Sequence, residues 1–324
     1  MTDLSLFFSI AGNYFRARLR NAREHSHFPR LPLIPMHRVE PGKTAVTLAC
    51  LAVLSVAWPA AAQQRPLVTE DPEVIGAGLV LLEGGFEISR DILYPASGLQ
   101  GNLLRLPTLG VSLGISSIAE LQIDGGIYNR LSIARSGVGP APLADQLDVT
   151  GSTTTDVEDI VIATKIRILG ETASRPAFGV RFATKLPNAS NESGLGLDTT
   201  DFHAQVLVGK TVQSIRVVGN VGLGILGDPT RGGNQNDVLL YGVSVARAVR
   251  EGLEVVGELN GRATTRSGTA PAGTESRSTL RVGGRLTRGT VRLDAGVLLG
   301  ITSRDPGLGF TAGATWVFRG FTVP

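Results

Sequence analysis

The chain of 324 residues has one cysteine, two methionines, four histidines and only 5% aromatic residues. A single cysteine excludes an internal disulfide, so an exported form must be stabilised by other means. No stretch reaches the ~18 consecutive apolar residues of a spanning helix, which excludes a helical membrane protein. Glycine is abundant instead, at 41 residues, roughly 13% against a usual ~7%. Glycine weakens helix interiors by about 1 kcal/mol per residue, which argues against a mainly helical fold. An apolar fraction of 42% is too high for a disordered chain. These exclusions leave a glycine-rich all-β protein.

Residues 45–57 (AVTLACLAVLSVA) form a short apolar run preceded by His37, Arg38 and Lys43 and followed by Ala60-Ala61-Ala62. A basic stretch, an apolar run of about 7–15 residues and an A-x-A site describe a secretory signal. Cleavage is expected after Ala62, giving a signal over 36–62. Met36 stands where a conventional start would fall, so residues 1–35 read as an upstream, unstructured extension; a long basic leader is the alternative. Cys50 could suggest a lipid anchor, but no leucine stands three places ahead of it and the apolar run continues beyond it, so it reads as an ordinary signal residue. Beyond residue 62 remain 24 basic and 25 acidic side chains, a net of −1. The basicity of the whole chain therefore supports no nucleic-acid surface.

From residue 78 the sequence alternates with period 2, as strands do. Val291, Leu293, Ala295, Val297, Leu299 and Ile301 oppose Arg292, Asp294, Gly296 and Gly300. Twelve such segments are expected, over 78–90, 101–115, 118–133, 157–169, 175–187, 199–211, 214–226, 236–248, 252–264, 276–287, 290–302 and 307–319. Short turns near 116–117, 171–174, 212–213, 250–251 and 288–289 alternate with longer loops at 91–100, 134–156, 188–198, 227–235, 265–275 and 303–306. Long–short alternation with an even strand number describes a single closed transmembrane antiparallel β-barrel over 78–324, in the cell outer membrane. Hydrocarbon leaves no backbone group unpaired, so the sheet must close, with apolar residues facing lipid and charged ones facing the lumen. Glycine would then be tolerated where strands bend or the lumen stays open. Residues 63–77 form a periplasmic N-terminal segment, too short for a plug domain yet able to reach the lumen, where Glu70, Asp71 and Glu73 would meet a basic wall.

The last segment places Phe310, Ala312, Ala314, Trp316 and Phe318 on one face. It resembles the C-terminal signal recognised by the barrel assembly machinery, although Arg319–Pro324 follow it and Phe321 competes as terminal aromatic. Leu67–Glu87 (LVTEDPEVIGAGLVLLEGGFE), together with Ala163–Lys210 and its loop Pro187–Gly194, resembles an outer-membrane family linked to the meta-cleavage pathway of phenol degradation and labelled a transporter. The resemblance implies a barrel passing small hydrophobic or aromatic compounds.

The alternation assigns to the lumen Glu83, Glu87, Asp124, Arg130, Lys165, Arg167, Arg181, Lys185, His203, Arg216, Glu254, Glu258, Arg262, Arg281, Arg285, Arg292 and Asp294. Charged lumen residues tune which solutes pass, and the basic excess suggests a mild anion preference. Twelve strands lie between filled eight-stranded barrels and the open channels of sixteen, so a narrow pore and a side-chain-filled scaffold both fit. His203 is the only histidine after residue 62 and has no serine beside it, so no triad is legible. An outer-membrane lipid-modifying enzyme and a non-transporting surface-binding barrel are the alternatives to a channel. Asp228, Asn234, Asn236 and Asp237 do not match a calcium-loop spacing. No cofactor, metal or nucleic acid is expected; the expected partners are membrane lipid, the assembly machinery and a small-molecule solute.

Overall fold

The structure, a computed structural model, describes residues 65–323; the expected extension over 1–35, the signal over 36–62 and Cys50 lie outside them. Fourteen strand segments follow one another: β1 (Leu79–Tyr94), β2 (Leu99–Gly114), β3 (Ala119–Gly126), β4 (Asn129–Arg135), β5 (Thr153–Asp156), β6 (Val161–Leu169), β7 (Ala177–Lys185), β8 (Asp201–Val212), β9 (Ile215–Gly227), β10 (Gln235–Arg250), β11 (Leu253–Thr264), β12 (Arg277–Arg288), β13 (Val291–Gly300) and β14 (Leu308–Arg319). β3 and β4 both pair with β2, one along each half, and β5 and β6 continue them on β4 and β3. Each pair is thus one barrel strand broken in the middle, and twelve strands run around the wall. The sheet closes where β1 pairs with β14, from Leu79↔Arg319 to Arg90↔Leu308. All pairings are antiparallel, as the sequence pattern predicts.

The wall is inside-out relative to a water-soluble protein. On β13, Val291, Leu293, Val297 and Leu299 are exposed, while Arg292 and Asp294 between them are buried. Leu293 and Val221 each keep about half their surface uncovered, which only a hydrocarbon surrounding makes favourable. On β14 Trp316 stacks on Phe318 at 4.3 Å near the strand's end, and Phe310 meets Phe86 at 5.9 Å.

Three local departures from the expected layout have physical causes. The loop expected at 91–100 is a four-residue turn, 95–98, closed by Gly98 in the left-handed region (φ +72°), because β1 and β2 are each sixteen residues long. The fourth barrel strand begins at Thr153 as β5, not at 157, and is interrupted before β6. The break at 127–128 reverses the alternation of the third strand, so that Asn129 and Leu131 are buried and Arg130 is exposed.

At the outer end the polarity returns to that of a soluble core. Ile92, Leu99, Leu103 and Leu131 are buried on the inner face and packed with Leu147, Val149 and Leu195 from the loops. Ala96, Leu143 and Ala272 form a second cluster with Leu197. The loops over 136–152, 186–200 and 265–276 are tied together: the Ser97 hydroxyl donates to Gly194 O at 2.8 Å, and Thr154 to Ser193 O at 2.8 Å. They make an apolar lid over the mouth.

Candidate functional site

Residues 65–77 run inside the barrel, and we call them the strap. Read back from β1, the strap crosses the lumen from β3 to β13 and β14, with Asp71 reaching β9 and Glu70 turning back to β7 and β6. Ile75 N–H donates to the Glu120 carboxylate of β3 at 2.8 Å. Glu73 pairs with Arg167 of β6 at 2.6 Å, and Asp71 with Arg216 of β9 at 2.5 Å. Glu70 lies 3.1 Å from Arg181 of β7 and 3.5 Å from Lys165 of β6, while its backbone N–H donates to Asn220 Oδ1 of β9 at 2.7 Å. The Glu258 carboxylate of β11 accepts the N–H groups of Val68 and Thr69 at 2.8–3.0 Å. Arg65 closes the circuit, with Asp294 of β13 at 3.5 Å and Ala312 O of β14 at 3.1 Å.

Glycines on the inner face make room for this path. A Cβ added at Gly242 would come within 2.9 Å of the Thr69 hydroxyl. One at Gly209 would meet Pro72 at 3.0 Å, and one at Gly296 would meet Pro66 at 3.3 Å. The sequence shows the glycines, but nothing in it shows that they form a track.

All of the sequence-assigned lumen residues except Arg130 take part in this interior. Lys165 is wholly buried between Glu120, at 2.9 Å, and Glu70. Lys185 pairs with Asp159 at 2.7 Å and Asp201 at 3.4 Å. Arg285 donates to Arg65 O at 2.7 Å, and its side chain and that of Arg292 lie 3.9 and 4.0 Å from Glu254. Arg281 reaches Glu258 at 3.7 Å and Glu87 at 3.9 Å. Glu83 accepts from the Thr315 hydroxyl at 3.2 Å, and Asp124 lies 3.8 Å from Arg181. Arg262 is held by carbonyl oxygens, and His203, opposite Ala183 and Gly224 in register, borders the open space of the lumen. Arg130 departs because the strand break turns it outward.

Below the wall, in the turn between β6 and β7, Glu171 receives the Thr211 N–H at 2.7 Å and lies 2.8 Å from Arg216. Partial burial works against its ionisation, but this N–H and the cations Arg216 and Lys210 outweigh it and hold its carboxyl below the ordinary range.

Arg65, Arg105, Glu120, Glu158 and Arg277 belong to the interior and were not singled out from the sequence. Arg105 lies 3.8 Å from Glu87 and 3.4 Å from Glu158. Between strap and lid two adjoining cavities of about 410 Å³ each share Val68, Glu87, Arg105, Arg181, His203 and Gln205 in their walls. The loop residues weighed as calcium ligands do not converge: Asn236 donates inward to Thr274 at 3.0 Å, and Asp228 accepts from Thr230. Among the described residues no cluster of His, Cys, Asp and Glu has the arrangement of a metal site.

No protein-family model matches the chain, and no curated protein matches it in sequence. Among solved structures, it is similar to the COG4313 outer membrane channel from Pseudomonas putida F1, at 14% identity and a TM-score of 0.54, over 76% of this chain and 98% of that one. The translocator domain of the autotransporter NalP from Neisseria meningitidis shares 11% identity, with a TM-score of 0.44 over 85% and 98% of the two chains. LpxR from Salmonella typhimurium shares 12%, with a TM-score of 0.41 over 74% and 100%. At such identities the likeness is one of fold: the chain is a closed, twelve-stranded outer-membrane β-barrel.

Proposed function

We propose that this barrel is a passive channel for small molecules, narrowed by its own strap. The observation that carries the reading is the pair of adjoining cavities between strap and lid, walled by charged side chains. A scaffold built only for rigidity would fill that space with side chains, as barrels of eight strands do. Charged walls around open space suit a water-filled path, along which such groups select solutes. The outward aromatics Phe310, Trp316 and Phe318 of β14 suit recognition by the barrel assembly machinery.

The test is flux through the refolded protein in a planar bilayer and in vesicles loaded for swelling with small sugars. Small, steady conductance is expected from the full protein, rising several-fold when residues 65–75 are removed. No flux of ions or sugars from either form would overturn the reading and favour a surface-binding barrel.

A further inference from the structure

The interior is uneven in charge. The cavity lined chiefly by the strap and by β1, β2 and β3 is bordered by six carboxylates and four arginines. The cavity that reaches β8–β13 is bordered by five arginines and only two carboxylates, Glu87 and Asp305. At its outer end Arg262 of β11 and Arg277 of β12 stand directly opposite each other in register. Like charges in that position repel and weaken a sheet, yet among the described residues neither has a carboxylate within ion-pair distance. Arg262 donates to the carbonyl oxygens of Glu275 and Gly273 at 2.9 and 2.6 Å, and Arg277 to Leu93 O at 3.0 Å. The Nε–H of Arg277 is buried with no protein acceptor. The acids of this end are already engaged. Asp305 accepts the Ser278 N–H and the Thr302 N–H and hydroxyl, and Glu275 accepts the Gly273 N–H and lies 3.9 Å from Arg304.

The same cavity has an apolar side formed by Leu240, Leu298 and Val68 of the strap. Paired guanidinium groups match the planar, two-oxygen geometry of a carboxylate. Apolar walls with a few convergent polar groups are the ordinary make-up of a small-molecule site. We propose that this is a binding site for an organic monocarboxylate with an apolar body, its carboxylate between Arg262 and Arg277 and its body against Leu240, Leu298 and Val68. The proposal rests on the channel reading, for which it names a solute class.

The test titrates the refolded protein calorimetrically with benzoate, with neutral benzamide and with acetate, and measures vesicle swelling in arabinose alongside. Benzoate is expected to bind at least tenfold more tightly than either of the others. R277Q and R262Q should each lose tenfold or more of that affinity. R277K, which keeps the charge, should lose less and serves as the control for folding. Benzoate binding no tighter than benzamide, or full affinity in the R262Q/R277Q double variant, would overturn the site. Arabinose swelling without benzoate preference would remove the site and leave the channel; benzoate binding without any swelling would do the reverse.

Discussion

Lys165 shows at the level of one side chain how the interior is held. Its ammonium is fully buried between Glu120 and Glu70. Removing one member of such a buried set leaves uncompensated charge, at a cost of about 3–5 kcal/mol. Glu70 keeps Arg181 and Glu120 keeps the Ile75 N–H, so Lys165→Met should destabilise toward the lower end of that range. Denaturant titration of the refolded variant in detergent, compared with the parent, measures it. Most interior charges were legible from period 2 alone, because the wall between lipid and water sorts polarity strictly. Arg130 was not, because the break at 127–128 reverses the alternation, and neither was Arg105, for a different reason. Near the outer end the inner face packs under the lid and carries Leu99, Leu103 and Leu131, so the rule that apolar means outward inverts there. Arg105 shares a face with Leu103 and reads as lipid-facing.

Among the elements, the strap was legible only in its chemistry. Its three carboxylates pointed to a basic wall, and each meets a cation there. Its path was not legible, since thirteen residues with two prolines (Pro66 and Pro72) carry no periodicity that would register them on a sheet. The glycine track makes the path testable. Gly242→Leu would drive a side chain into Thr69, whereas Gly219, on the same barrel, has open space around its Cβ position. The first substitution should loosen the strap and raise conductance several-fold, and Gly219→Leu should leave conductance unchanged; single-channel recording separates them. The broken strands were also hidden. Residues 127–128 interrupt the third barrel strand where the alternation reads as continuous, and residues 157–160 interrupt the fourth where its segment was expected to begin.

For the whole molecule, the lumen is bounded from two sides by different means. Toward the outside an apolar lid is built from loops that long-range contacts hold together. Lower down, a charged strap is bound by backbone N–H groups and ion pairs. The strand number and the closure were legible, because hydrocarbon imposes a closed sheet on any chain that spans it with strands. The alternation of loop lengths held only in part: the connection between β1 and β2 is a four-residue turn, and that between β6 and β7 is as long as two of the outer loops. The lid was not, since its contacts join segments far apart in sequence.

The strap's place ahead of every wall strand has a consequence for how the protein is made. The strap lies at the head of the described chain and is held by residues of β3, β6, β7, β9, β11 and β13, so every wall strand that binds it is synthesised after it. With the strap in place while the wall closes, its carboxylates would be neutralised as Arg167, Arg181 and Arg216 reach them. Chains lacking residues 65–75 should close their seam more slowly on dilution from urea into lipid vesicles, a delay read from the appearance of the heat-sensitive, fast-migrating band on gels.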